Sequence, residues 1–427
     1  MARGRRLPLL LVLALLGALV AETAAWRHDT VSAPGVHMTT LRATTIGPYP
    51  MAAAIAARTG RGFVVHQDGT VDVLDITSGA LLRKVRVGQF GYSTGDIAVS
   101  EGTNRVFIAC DGTTGQGATV AILNARSGQV LRTTTVGVGV HDVVVDAPRG
   151  QVFVATLKGV SALDARTGAV RRTYALGTVV QRIALDAGTA HLFAATEGTD
   201  KRGLIPITGG AGAIVTMDAA TGQLLHATAV GREPSAMAVD AHAGRVVVVS
   251  ALDRTASVLD AGTGRVVRTV KIDGQPEGVA VDDRSGHALV AAMGFMNNMG
   301  RFTSPSNVTI LDTRSGNVAR VVTLDRSPLW SIVADAGHGR AYLPTSGPTI
   351  VLDTRSGARI GAIDDLFGIP AIDPDTGRAV IASPGGMMTA RDPWGWLPGP
   401  LRRLPFIPLP PRPHAVPPTV SVLDMAS

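Results

Sequence analysis

The sequence predicts an all-β chain folded as an eight-bladed β-propeller of four-stranded antiparallel blades. Three observations predict it. An apolar alternating strand, then Asp-x-x-Ser/Thr-Gly, then a second strand, recurs along the chain. A hairpin of two apolar strands precedes each copy. The composition, 50 Gly against 9 Phe, 4 Trp and 4 Tyr, suits short strands joined by many tight turns.

The first element is the Asp-to-Gly unit. It covers Val71–Gly88, Val120–Gly137, Val160–Gly177, Ile214–Gly231, Ser257–Gly274, Val308–Asp325 and Thr349–Asp365. A truncated copy, Thr419–Asp424, comes last. Its anchors are Asp75, Asn124, Asp164, Asp218, Asp260, Asp312, Asp353 and Asp424. An Asp or Asn side chain accepts hydrogen bonds from N–H groups two or three residues on, and the Gly supplies the positive φ of a tight turn. The anchors are therefore turn formers rather than catalytic or metal-binding groups.

The second element is the preceding hairpin, as in Ala53–Val65, Val143–Ala155 and Met237–Val249, with turns such as Asp282-Asp-Arg-Ser-Gly286. Together they make strands a, b, c and d, a unit of about 40 residues, which is the period of a propeller blade. The eighth unit supplies strands a to c and stops. Met38–Gly47 reads as an orphan strand d, and pairing it with Thr419–Asp424 closes the ring and hides both edges. Seven blades is the alternative if the eighth unit is degenerate.

Ahead of the ring, residues 1–25 read as a signal peptide. Arg3, Arg5 and Arg6 precede an apolar run, Leu7–Val20, and Thr23-Ala24-Ala25 offers small residues for cleavage. An uncleaved anchor is the alternative, although a spanning helix needs about 20 residues. Residues 26–37 are a linker, and 38–427 form one propeller domain with a Pro-rich insertion at 384–418. No other segment has the length and apolarity to span a membrane. These readings predict an exported protein.

The formal charge of +7 is scattered, with no basic stripe carrying interleaved aromatics, so nucleic acid is not an expected partner. Cys110 is the single cysteine. It excludes an intramolecular disulfide and a Cys-x-x-Cys metal motif, and reads as a small buried hydrophobe.

Units such as Gly244-Arg-Val-Val-Val-Val-Ser250 followed by Ser257-Val-Leu-Asp-Ala-Gly-Thr-Gly264 resemble the YVTN-type (YncE-like) β-propeller repeat. The resemblance covers nearly all of residues 38–427. It implies a secreted, periplasmic or surface-exposed bacterial protein. Related propellers serve as binding modules, carry haem d1, or act as lyases and lactonases. No motif for those chemistries is present here, so function has to come from the site.

In a propeller strand a is innermost, and the d–a and b–c connections share one face. The large insertions, Glu197–Gly212, Met293–Asn307 and Pro384–Pro418, all lie between strands b and c. They surround the mouth of the central channel, where a rigid scaffold carries function. The entries to strand a ring that mouth with Tyr92, Asp96, His141, Asp142, Gln181, Arg182, Glu233, Glu277 and Trp330. This mixed set can bind a small polar ligand or a divalent cation, or can satisfy itself with ordered water.

Met293, Met296 and Met299 have soft thioethers at a spacing able to hold Cu(I), or form an apolar lid. The Pro-rich stretch packs over the mouth, docks a partner through its aromatics and arginines, or links to the closing strand.

The expected function is an extracytoplasmic binding or scaffold propeller engaging a small molecule or protein on this face, with no cofactor required. The alternative is a metal-assisted lyase or hydrolase at the mouth, with Asp96, His141, Glu233 and Glu277 as ligands or acid–base groups.

Overall fold

The computed structural model describes residues 39–47, 49–88, 96–111, 117–197, 210–295, 304–328, 331–363, 368–373, 376–383, 386–388, 414–416 and 418–424. Among them are eight four-stranded antiparallel sheets and no α-helix. Blade 1 runs a to d through Pro50–Ala56, Arg61–His66, Thr70–Asp75 and Leu81–Arg86. Blades 2 to 7 span 97–137, 140–175, 180–230, 234–271, 275–324 and 333–363. Each strand a contacts the strands a of both neighbouring blades, right round the ring. Eight blades replace the seven-bladed alternative.

Blade 8 is composite. Its strands a and b, Ile369–Ile372 and Ala379–Ser383, are followed by Thr419–Asp424 as strand c and by Thr39–Thr45 as strand d. The closing register runs from Thr39 opposite Asp424 to Thr45 opposite Thr419, with a bulge between Thr40 and Arg42. Ile46 N–H extends the seam to the Pro418 carbonyl at 3.1 Å. Thr419–Asp424 is thereby flanked on both sides, which removes the open edge that would template aggregation.

The core is eight apolar layers, one in each gap between neighbouring blades. A strand sandwiched between two layers has no solvent face, so its sequence loses the two-residue alternation. Strand b shows this: RVFIAC, QVFVAT and HLFAAT are buried from the second residue on. Phe63, Phe107, Phe153 and Phe193 fill its third position in blades 1 to 4 and are at most 1% exposed. Each stabilises the ring by about 1.5–3 kcal/mol.

The Asp-to-Gly turn forms as its chemistry requires. Asp164 Oδ1 accepts from the N–H groups of Arg166 and Thr167 at 2.9 and 2.7 Å, and from the Thr167 hydroxyl. The backbone N–H of Thr167 leads the interactions that pull its carboxyl down to about 2. Asp75, Asp218, Asp260, Asp312 and Asp353 repeat the pattern. The seven turn glycines have φ between 67° and 73°.

These glycines also sit against the preceding blade. A Cβ on Gly168 would lie 2.0 Å from Ile122 Cδ1. A strand-d threonine completes the stitch: Thr134 donates to the Gly168 carbonyl and Thr228 to that of Gly264, both at 2.7 Å. The composite blade copies it, with Thr44 donating to Gly79 at 2.7 Å.

Candidate functional site

Connection lengths separate the two faces. Every c–d turn has five residues (76–80, 125–129, 165–169, 219–223, 261–265, 313–317 and 354–358). Every a–b turn of blades 1 to 7 has four, as in 147–150 and 241–244. The b–c connections range from 157–158 in blade 3 to 197–211 in blade 4, 294–305 in blade 6 and 384–418 in blade 8. The last contains a small ladder, Gly386–Met388 against His414–Val416. The d–a connection 87–96 is also long, so the extra length at the mouth is not confined to b–c segments as the sequence suggested.

At the entry to strand a of blades 1 to 6, a bulge or bend sets one position apart. In blades 1, 5 and 6 this position is Ala52, Ala236 and Gly278. In blades 2, 3 and 4 it is Asp96, Asp142 and Arg182. Asp96 Oδ2 accepts from the Val143 N–H at 3.0 Å, and Asp142 Oδ1 accepts from that same N–H at 2.8 Å. Asp142 Oδ2 reaches one blade further, to the Ile183 N–H at 2.8 Å. The two carboxyl groups thus converge on one donor.

Burial, and then the charge and hydrogen bond of Asp96, push the Asp142 carboxyl well above the usual carboxylate range. Two carboxylates this close repel one another, and a buried site screens that repulsion poorly.

His141 lies beside this row. Its Nε2 is buried and has no hydrogen-bond partner among the described residues. Burial, then the charge of Arg182, lowers its pKa, while Asp111 and Glu197 pull the other way. The imidazole is therefore neutral at neutral pH. Gln181 donates to Glu197 Oε1 at 2.7 Å, and Arg182 donates to the Gln181 carbonyl at 3.1 Å. Blades 2 to 4 therefore form one polar sector.

Glu233 and Glu277 form a second sector on blades 5 and 6. Burial, and then the charge of Glu233, raises the pKa of Glu277. Glu233 has φ of 56°, and its carbonyl accepts from Ala251 N–H at 2.9 Å. Nearby, the Arg254 guanidinium lies 5.0 Å from the centroid of Phe295, joining the b–c segments of blades 5 and 6.

The predicted ring is therefore brought together in two groups. Tyr92, Trp330, Met296 and Met299 lie outside the described residues; Met293 ends strand b of blade 6. Among the described residues no three His, Cys, Asp or Glu side chains are placed to hold one metal ion. No helix among them is long and apolar enough to cross a membrane. Cys110 is free and buried, and burial pushes its thiol up to about 12.

Sequence reasoning missed a buried pair in blade 1. His66 Nε2 lies 3.0 Å from Asp72 Oδ2, which also accepts the Gly47 N–H at 2.8 Å; both side chains are 0% exposed. Gly47 follows the closing strand, so the pair fastens blade 1 to blade 8. A buried Asp in the otherwise apolar strand TVDVLD was the available signal.

The family described as PQQ_2, outer membrane protein assembly factor BamB, matches residues 21–174. A comparison with curated proteins finds no match. Among solved structures the fold resembles the crystal structure of the computationally designed Ika8 protein, with a TM-score of 0.61. That likeness covers 92% of this chain and 100% of that one at 16% identity, so it bears on fold alone. Fold and family match agree on one conclusion: this chain is a β-propeller repeat protein whose repeats are similar, over residues 21–174, to those of the PQQ_2 family.

Proposed function

We propose that this chain is an extracytoplasmic binding or scaffold propeller that engages a ligand or protein partner on its mouth face, through the polar sector of blades 2 to 4. The observation that carries this reading is the contrast in connection lengths. A face built for stability alone has no reason to differ from blade to blade, and here one face is uniform while the other varies. Among blades 1 to 6, three consecutive ones place a charged residue at the strand-a entry, and Asp96 and Asp142 reach the next blade from it.

The extracytoplasmic setting draws on the signal-like residues 1–25, the YVTN-type resemblance and the match to a family described as an outer membrane assembly factor. No cofactor enters this reading.

A photo-crosslinking residue placed at Gln181 or Leu157 in the producing cell should give protein or ligand adducts. The same residue at Thr167 or Thr263, on the opposite face, should give no protein adduct. Protein adducts from the turn positions with none from the mouth would reverse the assignment.

A second reading, acid–base chemistry at the mouth, is favoured only by the Asp96–Asp142 pair. It requires turnover that Asp142→Asn abolishes while binding persists.

A further inference from the structure

We propose that the face carrying the c–d turns docks on an anionic lipid bilayer, leaving the mouth directed away from it. The proposal is independent of what the mouth binds. The eight strands d read LLRKVR, VLRTTTVG, VRRTYA, LLHATAV, VVRTVK, VARVVTL, RIGAI and TTLRATT. Every blade except the fourth contributes Lys or Arg, and none contributes Asp or Glu. What looks like scattered charge in the sequence is a collar of one sign.

The collar has a position as well as a sign. The eighth residue after the turn anchor is Arg83, Arg132, Arg172, Arg268 or Arg320 in five blades and His226 in blade 4. Arg42 takes the same register in blade 8, opposite Val422. Arg132, Arg172, Arg268 and Arg320 stand against the c–d turn of the next blade. The aliphatic part of Arg132 packs over Gly168 of the next blade, with Cδ 3.7 Å from where a Cβ would be. In blades 1 to 6 the first residue of strand d is apolar and exposed, as in Leu81, Val130, Leu224 and Val318 at 38–44%. The six turn aspartates stay ionised on this face, and the turns' own Arg126, Arg166, Arg314 and Arg355, each two residues after its anchor, offset most of that charge and leave the collar in excess.

Basic residues on exposed edge strands also discourage edge-to-edge pairing. That role accounts for charge anywhere along strand d. It does not account for an apolar row beside an arginine row at one end, which is the composition of surfaces that settle at a lipid interface.

The topology supplies the second argument. Strand Thr39–Thr45 starts opposite Asp424, at the end of strand c where every other blade makes its c–d turn. The chain that precedes Thr39 therefore joins the ring on this face. An uncleaved Leu7–Val20, the alternative to a removed signal, would tether this same face. Basic residues near an anionic leaflet each strengthen binding about fivefold at low ionic strength.

The test uses the full chain with one added cysteine carrying an environment-sensitive fluorophore, Ala220→Cys on the turn face or Leu252→Cys at the mouth. Cys110 is buried and stays unlabelled. Vesicles of phosphatidylcholine, alone or mixed with phosphatidylglycerol, contain a nitroxide-labelled lipid. The expected result is quenching at Ala220→Cys only with phosphatidylglycerol, none at Leu252→Cys, and release of the turn-face label by added salt. The variant Arg83→Gln/Arg132→Gln/Arg268→Gln/Arg320→Gln should bind phosphatidylglycerol vesicles about fivefold more weakly for each charge removed. Should that variant misfold, the salt titration of the unaltered collar decides. Equal quenching in the two lipids, stronger quenching at the mouth, or no quenching with phosphatidylglycerol would each overturn the proposal. The last outcome would leave an acidic macromolecule as the occupant.

Discussion

The two faces of the ring are made from the same eight blades and obey different rules. On the turn face each c–d connection has the same length and the same glycine angle, and the same threonine stitch recurs at the Gly79, Gly168 and Gly264 turns. On the mouth face the connections vary in length, and the inward position changes from Ala to Asp to Arg between blades. The uniform face is where the blades are fastened to one another, so its residues answer to neighbours. The variable face carries fewer such fastenings and is free to differ.

Four substitutions break or sharpen that contrast. Gly168→Ala should have the largest effect. It puts a Cβ at φ of 70° and within 2.0 Å of buried Ile122 Cδ1, whereas Gly150→Ala, at φ of 61° in the same blade, meets nothing within 4 Å. Left-handed strain costs about 1–2 kcal/mol and overpacking about 1–3 more, so Gly168→Ala should lose about 3 kcal/mol and Gly150→Ala about 1. Denaturant melts of the two variants measure the difference. Equal losses would show that the turn does not pack on its neighbour.

Asp72→Ala comes next, at about 2 kcal/mol, because it strands the Gly47 N–H and His66 Nε2 in a fully buried seam. This cost should depend on pH. Burial alone would push the Asp72 carboxyl up, yet the His66 hydrogen bond and the Gly47 N–H hold it below the ordinary 3.8. A carboxylate with a depressed folded-state pKa stabilises the fold above its unfolded value and loses that contribution as pH falls through the folded one. The gap between wild type and Asp72→Ala should therefore be full at neutral pH and shrink as pH drops below 3.8. A gap that widens on acidification would refute the assignment.

Asp218→Ala should cost about 1–2 kcal/mol, since it removes the acceptor for the Ala220 and Thr221 N–H groups in one turn while the glycine remains. The smallest effect should be of opposite sign. Asp142→Asn keeps an oxygen for the Ile183 N–H and offers a donor to Asp96, while removing one of two crowded charges. Its melting temperature should rise at neutral pH, by about 1 kcal/mol of added stability. The gain should vanish toward acid, where the wild-type carboxyl is already protonated. Should Asp142→Asn destabilise as much as Gly168→Ala, the division between the faces would be erased.

The turn face was the legible part of the sequence. A glycine four residues after each Asp, or after Asn124, encodes a local conformation, and local encoding repeats visibly. The closing strand was legible because the eighth unit ended one strand short. The mouth was legible only as a list. Asp96 and Asp142 stood at equivalent positions, yet that both would aim at the Val143 N–H depends on how three blades meet. Of the His66–Asp72 pair only the acid in strand TVDVLD was visible, and its partner, like the arginine collar, emerges only when strands are set side by side. The arginines recur at a fixed distance from the anchor, but their shared sign gains meaning only when the strands are set side by side on the outer edge.

The seam between Thr39–Thr45 and Thr419–Asp424 has a kinetic consequence. Its partners stand at opposite ends of the described chain, so the longest loop closure in the molecule must come last. A chain emerging in order from ribosome or translocon can form seven blades while the strand awaiting its mate stays unpaired. Until the last residues arrive, that strand and the incomplete eighth blade expose backbone that can recruit a neighbouring chain. Crowding, slow translation or truncation near the C-terminus should therefore act on yield well before they act on the stability of the finished ring.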